Sequence, residues 1–198
     1  MIDEIRDEES ARRLLRKNIL ICAGGALGVS LLPSMLAQIR NIIPESRQRV
    51  VLTTDAVRLV GANALACLTD GAVLSEWPPI TSSSLPHIEL TEWADIVIVM
   101  PATANLLAKA AYGIADDLVT TCLIATSTPI MFVPSMNERM WNNKIVQDNV
   151  ARLRAFGHHV IEPDCGFQVA SRRTGIGALP PLRDILLNML KIFAGMVE

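Results

Sequence analysis

The stretch "ADIVIVMPATANLLAKAAYG", residues 94–113, holds one repeating unit of the fold. Its first seven residues, "ADIVIVM", are a nearly unbroken apolar run rich in Ile and Val. That is the pattern of a strand buried on both faces, not of one with a wet side. Pro101 is expected to end this strand, because it has no N–H to give to a sheet ladder. "TANLLAKAAYG" then reads as a helix, opened by the capping residue Thr103 and stopped or bent at Gly113. A doubly buried strand followed at once by a helix is half of a βαβ unit. Chains made of such units form a parallel sheet with helices on both faces.

The same alternation extends in both directions. Upstream, "NILICA" (18–23) is a strand ending in "GGALG", followed by a helical pattern that "IPES" breaks near residue 42. "RVVLTT" (49–54) is a strand followed by helical "AVRLVGANALA", and residues 69–86 read as a loop rich in Pro, Ser and Thr. Downstream, "DDLVTTCLIAT" reads as helix running into strand, and "PIMFV" (129–133) is a strand. "ERMWNNKIVQDNVARLRAFG" reads as one helix closed by Gly157. "HHVIEP" is a last short strand, and "LRDILLNMLKIFAGM" is a C-terminal helix. The fold expected is α/β: a Rossmann-like, flavodoxin-like three-layer sandwich around a central parallel sheet. A single domain is expected over 18–198, preceded by an amphipathic helical extension over 1–17.

Composition agrees with that class. The chain has 198 residues, enough for one full core, and is 51% hydrophobic but only 4% aromatic. A formal net charge of −2 gives no electrostatic footprint for nucleic acid. Cys22, Cys67, Cys122 and Cys165 show no C-x-x-C pairing, so they are read as reduced thiols of a cytoplasmic protein with no metal framework. Every apolar run is interrupted before transmembrane length, and the charged N-terminus lacks the apolar region of a signal peptide. No membrane partner is expected.

Ligands of open α/β sheets sit beyond the carboxyl ends of the strands. Four small or polar clusters follow strands here and should open toward the same edge: "AGGALG", "TTD", "PATAN" and "PSMN". The first is either a phosphate cradle or a plain turn, since it lacks the Walker A lysine and the G-x-G-x-x-G spacing. In the second, Thr54 is either a hydroxyl donor to a ligand or a helix N-cap. In the third, Thr103 and Asn105 lie among alanines that let a flat ring come close, although a capped helix explains Thr103 equally well. The aspartates of "GIADDL" cap the next helix or sit at a subunit contact. "PSMNERMW" contains a possible capping box, Ser135-x-x-Glu138. That box leaves Met136, Asn137 and Trp141 unexplained, and Asn137 near a helix N-terminus can donate to a carboxylate. Of the histidines, His158 and His159 precede a strand, whereas His87 lies upstream of the "ADIVIVM" strand.

Taken together these motifs resemble the homo-oligomeric flavin-containing cysteine decarboxylases, which include phosphopantothenoylcysteine decarboxylase and the peptidyl-cysteine decarboxylases of lantibiotic biosynthesis. The family's P-A-S-A-N-T motif stands here as "PATANL", with Thr103 for Ser and Leu106 for Thr. Its P-x-M-N-x-x-M-W motif is intact as "PSMNERMW", and a histidine stands in the matching upstream place. The resemblance runs from about residue 17 to the C-terminus. It implies FMN bound between subunits, in a trimer or a dodecamer of four trimers. By position, Gly24, Gly25 and Ala26 should hold the phosphate with Thr53 and Thr54, although Gly25 replaces a frequent serine. Thr103, Ala104, Asn105, Leu106 and Ser135 should line the flavin. His87 is the matching base, Asn137 should hold the substrate carboxylate, and Met140 should help shape that pocket.

The resemblance also separates family members. The phosphopantothenoylcysteine enzymes carry a clamp similar to L-A-C-G-x-x-G-x-G, whose cysteine takes part in reducing the enethiol. Here the aligned stretch is "VASRRTGIG", which puts Ser171 in the cysteine's place, and a hydroxyl cannot replace a thiol in that step. Cys165 is near but offset. Arg172 and Arg173 are either solvated loop charges or contacts to a peptide. The implied function is FMN-dependent oxidative decarboxylation of the C-terminal cysteine of a precursor peptide to an aminoenethiol. The alternatives are a phosphopantothenoylcysteine decarboxylase using Cys165, a flavin prenyltransferase, or a non-catalytic flavoprotein regulatory subunit. The presence of His87 and Asn137 argues against the last.

Overall fold

The structure is a computed structural model and describes residues 16–71, 73–78, 85–169 and 172–195. Strand β1 (Asn18–Ala23) leads into a 3-10 helix (Leu27–Leu31) and α1 (Leu32–Ile42). β2 (Arg47–Leu52) is followed by the short helices α2 (Thr54–Val57) and α3 (Ala62–Ala66). Then come α4 (Pro86–Trp93), β3 (Ile96–Ala102), α5 (Ala104–Tyr112) and α6 (Leu118–Ala125). β4 (Ile130–Pro134), α7 (Glu138–Trp141), α8 (Lys144–Ala155) and the two-residue β5 (His159–Val160) complete the alternation. The hairpin β6 (Asp164–Gln168) and β7 (Arg173–Ala178) precedes α9 (Leu182–Ala194).

The five main strands form one parallel sheet in the order β2-β1-β3-β4-β5, the flavodoxin-like arrangement. Side-chain alternation along β1 splits the core. Ile19, Ile21 and Ala23 join α1 and α9 on one face, while Leu20 and Cys22 join α5, α6 and α8 on the other. β3 is buried at all seven positions, which explains its continuous apolar run. The strand order reverses between β1 and β3: β2 is added on one side of β1 and β3 on the other, which makes the switch point where such sheets open a crevice.

Several local expectations fail for identifiable reasons. Pro101 does not end β3. It lies inside the strand, and its carbonyl accepts the Gly24 N–H at 3.0 Å, tying the β1 turn to β3. The stretch after β2 is two short helices rather than one, because Gly61 is extended and acts as the N-cap of α3. Pro86, read as the end of the loop, instead opens α4 over residues 86–93, at a position where a missing N–H costs nothing. Residues 138–157 are two helices, because Asn143 turns its side chain onto the Ile145 N–H and starts α8 anew. The expected "PSMN" capping box does not form: Asn137, not Ser135, is the N-cap of α7. Likewise Thr53, not Thr54, caps α2. The β6–β7 hairpin was not expected at all. Of the proposed extension over 1–17, residues 1–15 lie outside the described residues, as does Ser171.

Candidate active site

A cavity of about 860 Å³ opens at the carboxyl edge of the sheet, across the β1/β3 switch point. All four clusters named from the sequence reach it. Gly25 and Ala26 come from the β1 turn, Thr53 and Thr54 from the β2 turn, Thr103, Ala104, Asn105 and Leu106 from the start of α5, and Ser135 and Asn137 from the β4 turn. Gly24 lies buried just beneath. A Cβ there would come within 2.8 Å of the Pro101 carbonyl oxygen and the Leu106 side chain, so the turn needs glycine to pack this close.

One end of the cavity is a set of donors. The Gly25 N–H has no backbone acceptor among the described residues. Thr53 Oγ1 accepts the Ala56 N–H at 3.3 Å and keeps its own O–H to give. The Thr54 hydroxyl is exposed and has no partner among the described residues. A Cβ on Gly25 would lie 2.4 Å from the Asp55 Cβ, so the β1 and β2 turns meet through that glycine. These N–H and O–H groups suit an anionic group such as a phosphate.

The middle of the cavity is lined by small side chains. Thr103 caps α5, accepting the Leu106 N–H at 3.2 Å, and its O–H remains free to donate. Ala104 adds only a methyl group. Ser135 is buried, its N–H donates to the Ala102 carbonyl at 3.0 Å, and its hydroxyl has no partner among the described residues. An aromatic ring system with polar edges fits this lining. The donor cradle beside this wall of small side chains is therefore compatible with FMN.

The other end belongs to the β4 turn and the hairpin. Asn137 Oδ1 accepts the Met140 N–H at 2.9 Å, which fixes the side chain and leaves Nδ2 without an acceptor among the described residues. The helix cap and the candidate carboxylate contact are thus two halves of one amide: the oxygen caps, and the nitrogen is left to donate. Met140 is 43% exposed and lines the cavity, whereas Trp141 is a buried core residue. Gly177 of β7 seats the hairpin on this turn. Its carbonyl accepts the Met136 N–H at 2.9 Å, and a Cβ there would fall 1.9 Å from the Met136 carbonyl oxygen. Phe167 and Val169 follow the hairpin into the cavity wall, and Leu27 and Leu31 come from the 3-10 helix.

Not every expected site residue joins the cavity. His87 stands at the start of α4 and is not among the lining residues. Its Nδ1 is buried without a hydrogen-bond partner among the described residues, so Nε2 is the nitrogen left open. Arg172, with a φ of 51°, and Arg173 are exposed at the hairpin tip and do not line the cavity. Cys165 is exposed on β6, opposite Ile176, and also lies off the cavity.

Sequence reasoning missed Lys109 and the hairpin side chains, and did not place Asp117 at the cavity. Lys109 donates to Asp116 at 2.6 Å, and that hydrogen bond holds the Asp116 carboxyl below its usual range. Asp117 caps α6 through a capping box with Thr120, one of the two outcomes read from "GIADDL". The signal for the hairpin was the alternation of Gly175 and Gly177 with larger residues, the mark of a strand closely approached by another backbone.

Comparison with known proteins places these features in context. The family described as Flavoprotein matches residues 7–193. The coenzyme A biosynthesis bifunctional protein CoaBC of Mycobacterium bovis is 35% identical over 169 residues, covering 85% of this chain but 40% of its own length. The chain thus spans about two fifths of that relative. The mersacidin decarboxylase of a Bacillus species is 34% identical over 174 residues, covering 86% of this chain and 88% of the relative. Among solved structures, the FMN-dependent cysteine decarboxylase SpaF superposes with a TM-score of 0.79 at 31% identity, covering 91% of this chain and 99% of that one.

Proposed function

The chain belongs to the flavoprotein family, and from that premise we propose that it is an FMN-dependent peptidyl-cysteine decarboxylase. In this reading it acts in the cytoplasm, where four free thiols persist, on a precursor peptide that ends in cysteine. The observation that carries the proposal is the divided Asn137 amide, with its oxygen engaged and its nitrogen without an acceptor among the described residues, on a residue lining a cavity that also holds a donor cradle and a wall of small side chains.

A C-terminal cysteine resists decarboxylation because the carbanion left at Cα has nothing to delocalise it. When bound, FMN supplies the two-electron acceptor that lets the Cβ–S bond be oxidised toward a thioaldehyde, an electron sink next to Cα. Gly25, Thr53 and Thr54 hold the phosphate, and Thr103, Ala104, Asn105, Leu106 and Ser135 line the ring. Asn137 Nδ2 donates to the peptide's terminal carboxylate and aligns the bond that breaks. Met140 closes the pocket beside it. His87 Nε2 takes the thiol proton as the general base. The β6–β7 hairpin excludes water over the carboxylate end.

His87 does not line the cavity of its own protomer, and this supports a site shared between copies in a trimer or a dodecamer of trimers. Mixing inactive His87→Asn and Asn137→Asp variants should then restore turnover in mixed oligomers.

The peptide reading is favoured over a phosphopantothenoylcysteine substrate by the chemistry of the outer cavity. Phe167, Val169, Leu27 and Leu31 are each more than half exposed there, and the lining cation Lys109 is already ion-paired with Asp116. Apolar side chains of a peptide match this wall better than a second phosphate does. Cys165 lies off the cavity, so no thiol there serves the reductive step. The test is mass spectrometry of a synthetic peptide ending in cysteine. Loss of about 46 Da, CO2 plus two hydrogens, is expected. Loss of CO2 alone, or turnover only of small phosphorylated cysteine conjugates, would overturn the assignment.

A further inference from the structure

We propose that Trp77 is a positioning residue for His87, resting on the reading of His87 as the base. A base imidazole must present one nitrogen in a fixed direction, and proteins usually fix it by a hydrogen bond to the other nitrogen. His87 has no such bond among the described residues: Nδ1 is buried and carries no partner. What it has is Trp77. The two ring centroids lie 5.4 Å apart at an interplanar angle of 74°, an edge-to-face contact.

Trp77 is not there to fill the core. It is 44% exposed, belongs to neither core cluster, and lies in the connection between α3 and α4. The T-shaped contact covers one side of the imidazole. Nδ1 is buried without a partner, so Nε2 is the nitrogen left for proton transfer, and the indole packed against the ring limits its rotation. The edge-to-face contact holds the imidazole plane here, where a hydrogen bond to a carboxylate or carbonyl ordinarily does. The contact is between side chains, so an aromatic residue of another size at position 77 should preserve it, and an aliphatic one should not.

The experiment compares Trp77→Phe and Trp77→Leu in FMN-loaded protein, with His87→Asn as the reference for loss of the base. Turnover of a peptide ending in cysteine is resolved into kcat and KM, and bound FMN is measured by absorbance. Trp77→Leu should lower kcat at least tenfold with KM within twofold and full FMN content, and Trp77→Phe should keep kcat within threefold of wild type. A crystal structure of Trp77→Leu should show the His87 ring turned or in two orientations, which needs no turnover. Equal kcat for the Leu variant and wild type, equal losses in the Leu and Phe variants, or a change confined to KM would overturn the proposal. If His87→Asn itself is fully active, the underlying reading of the base fails instead. A single unchanged His87 orientation in the Leu variant sinks the positioning role whatever the kinetics show.

Discussion

Gly177 offers the sharpest quantitative test of how the hairpin serves the site. Its φ of +128° lies where side chains are strained, and a Cβ would fall 1.9 Å from the Met136 carbonyl oxygen. Ordinary contact begins near 3.4 Å, so Gly177→Ala must push β7 away from the β4 turn by about 1.5 Å. The backbone strain costs about 1–3 kcal/mol. Loss of the Met136 N–H bond to the Gly177 carbonyl, 2.9 Å in the native protein, adds about 0.5–1.5 kcal/mol. Together these disfavour docking of the hairpin on the Asn137 turn by about 1.5–4.5 kcal/mol, roughly a 12- to 1,600-fold change in the docked population at about 1.4 kcal/mol per decade. The phosphate cradle lies at the other end of the cavity, and its residues are untouched. Steady-state kinetics on a peptide ending in cysteine should therefore show kcat/KM reduced by at least about tenfold, with FMN affinity within about threefold of wild type. A variant with unchanged kcat/KM, or one that loses FMN while its peptide kinetics stay intact, would refute the reasoning that β7 seats the substrate end.

Three further outcomes follow from other residues. Asn137→Asp keeps a good helix cap, so thermal stability and FMN content should hold. It places a carboxylate against a carboxylate and removes a charge-assisted hydrogen bond worth about 1.5–3 kcal/mol, so kcat/KM should fall at least about 100-fold. Gly25→Ser puts a Cβ 2.4 Å from that of Asp55; fluorescence titration should show FMN binding weakened about tenfold or more, with Asp55→Gly in the same chain recovering most of it. Burial pushes the Cys122 thiol up to about 12 and raises Cys22 well above the ordinary range, so both stay protonated and unreactive between pH 7 and 9. A thiol reagent should label the exposed Cys67 and Cys165 in native protein and reach the other two only after denaturation or as the pH approaches 12. Rapid labelling of all four at pH 8 would show that the core around β1 and α6 is not as described.

The parallel sheet was legible because its strands are buried on both faces and so read as uninterrupted Val, Ile and Leu. β1 was placed with its observed ends, and β4 within one residue. The site clusters were legible because a parallel sheet gathers the loops after its strands at one edge. What sequence could not give was the division of labour within a side chain. Asn137 was read as a cap or a ligand contact, and only geometry shows one amide atom used and the other free. The helix break at Asn142 and Asn143 was hidden by the strong periodicity on either side. The hairpin was missed because its strands have short runs and two glycines, and their reason for existing is the backbone of a distant turn. His87 gave no hint that its partner would be Trp77, ten residues upstream and outside any regular element.

The central claim joins flavin reduction to loss of the peptide's carboxyl group in one cavity. Its most direct measurement is an anaerobic titration of FMN-loaded protein with a peptide ending in cysteine, followed by absorbance and by mass. The yellow colour should bleach by one equivalent per equivalent of peptide decarboxylated, and the same peptide ending in serine should leave the colour unchanged. Protein that cannot be loaded with FMN, or that releases CO2 from the peptide with its colour intact, would contradict it.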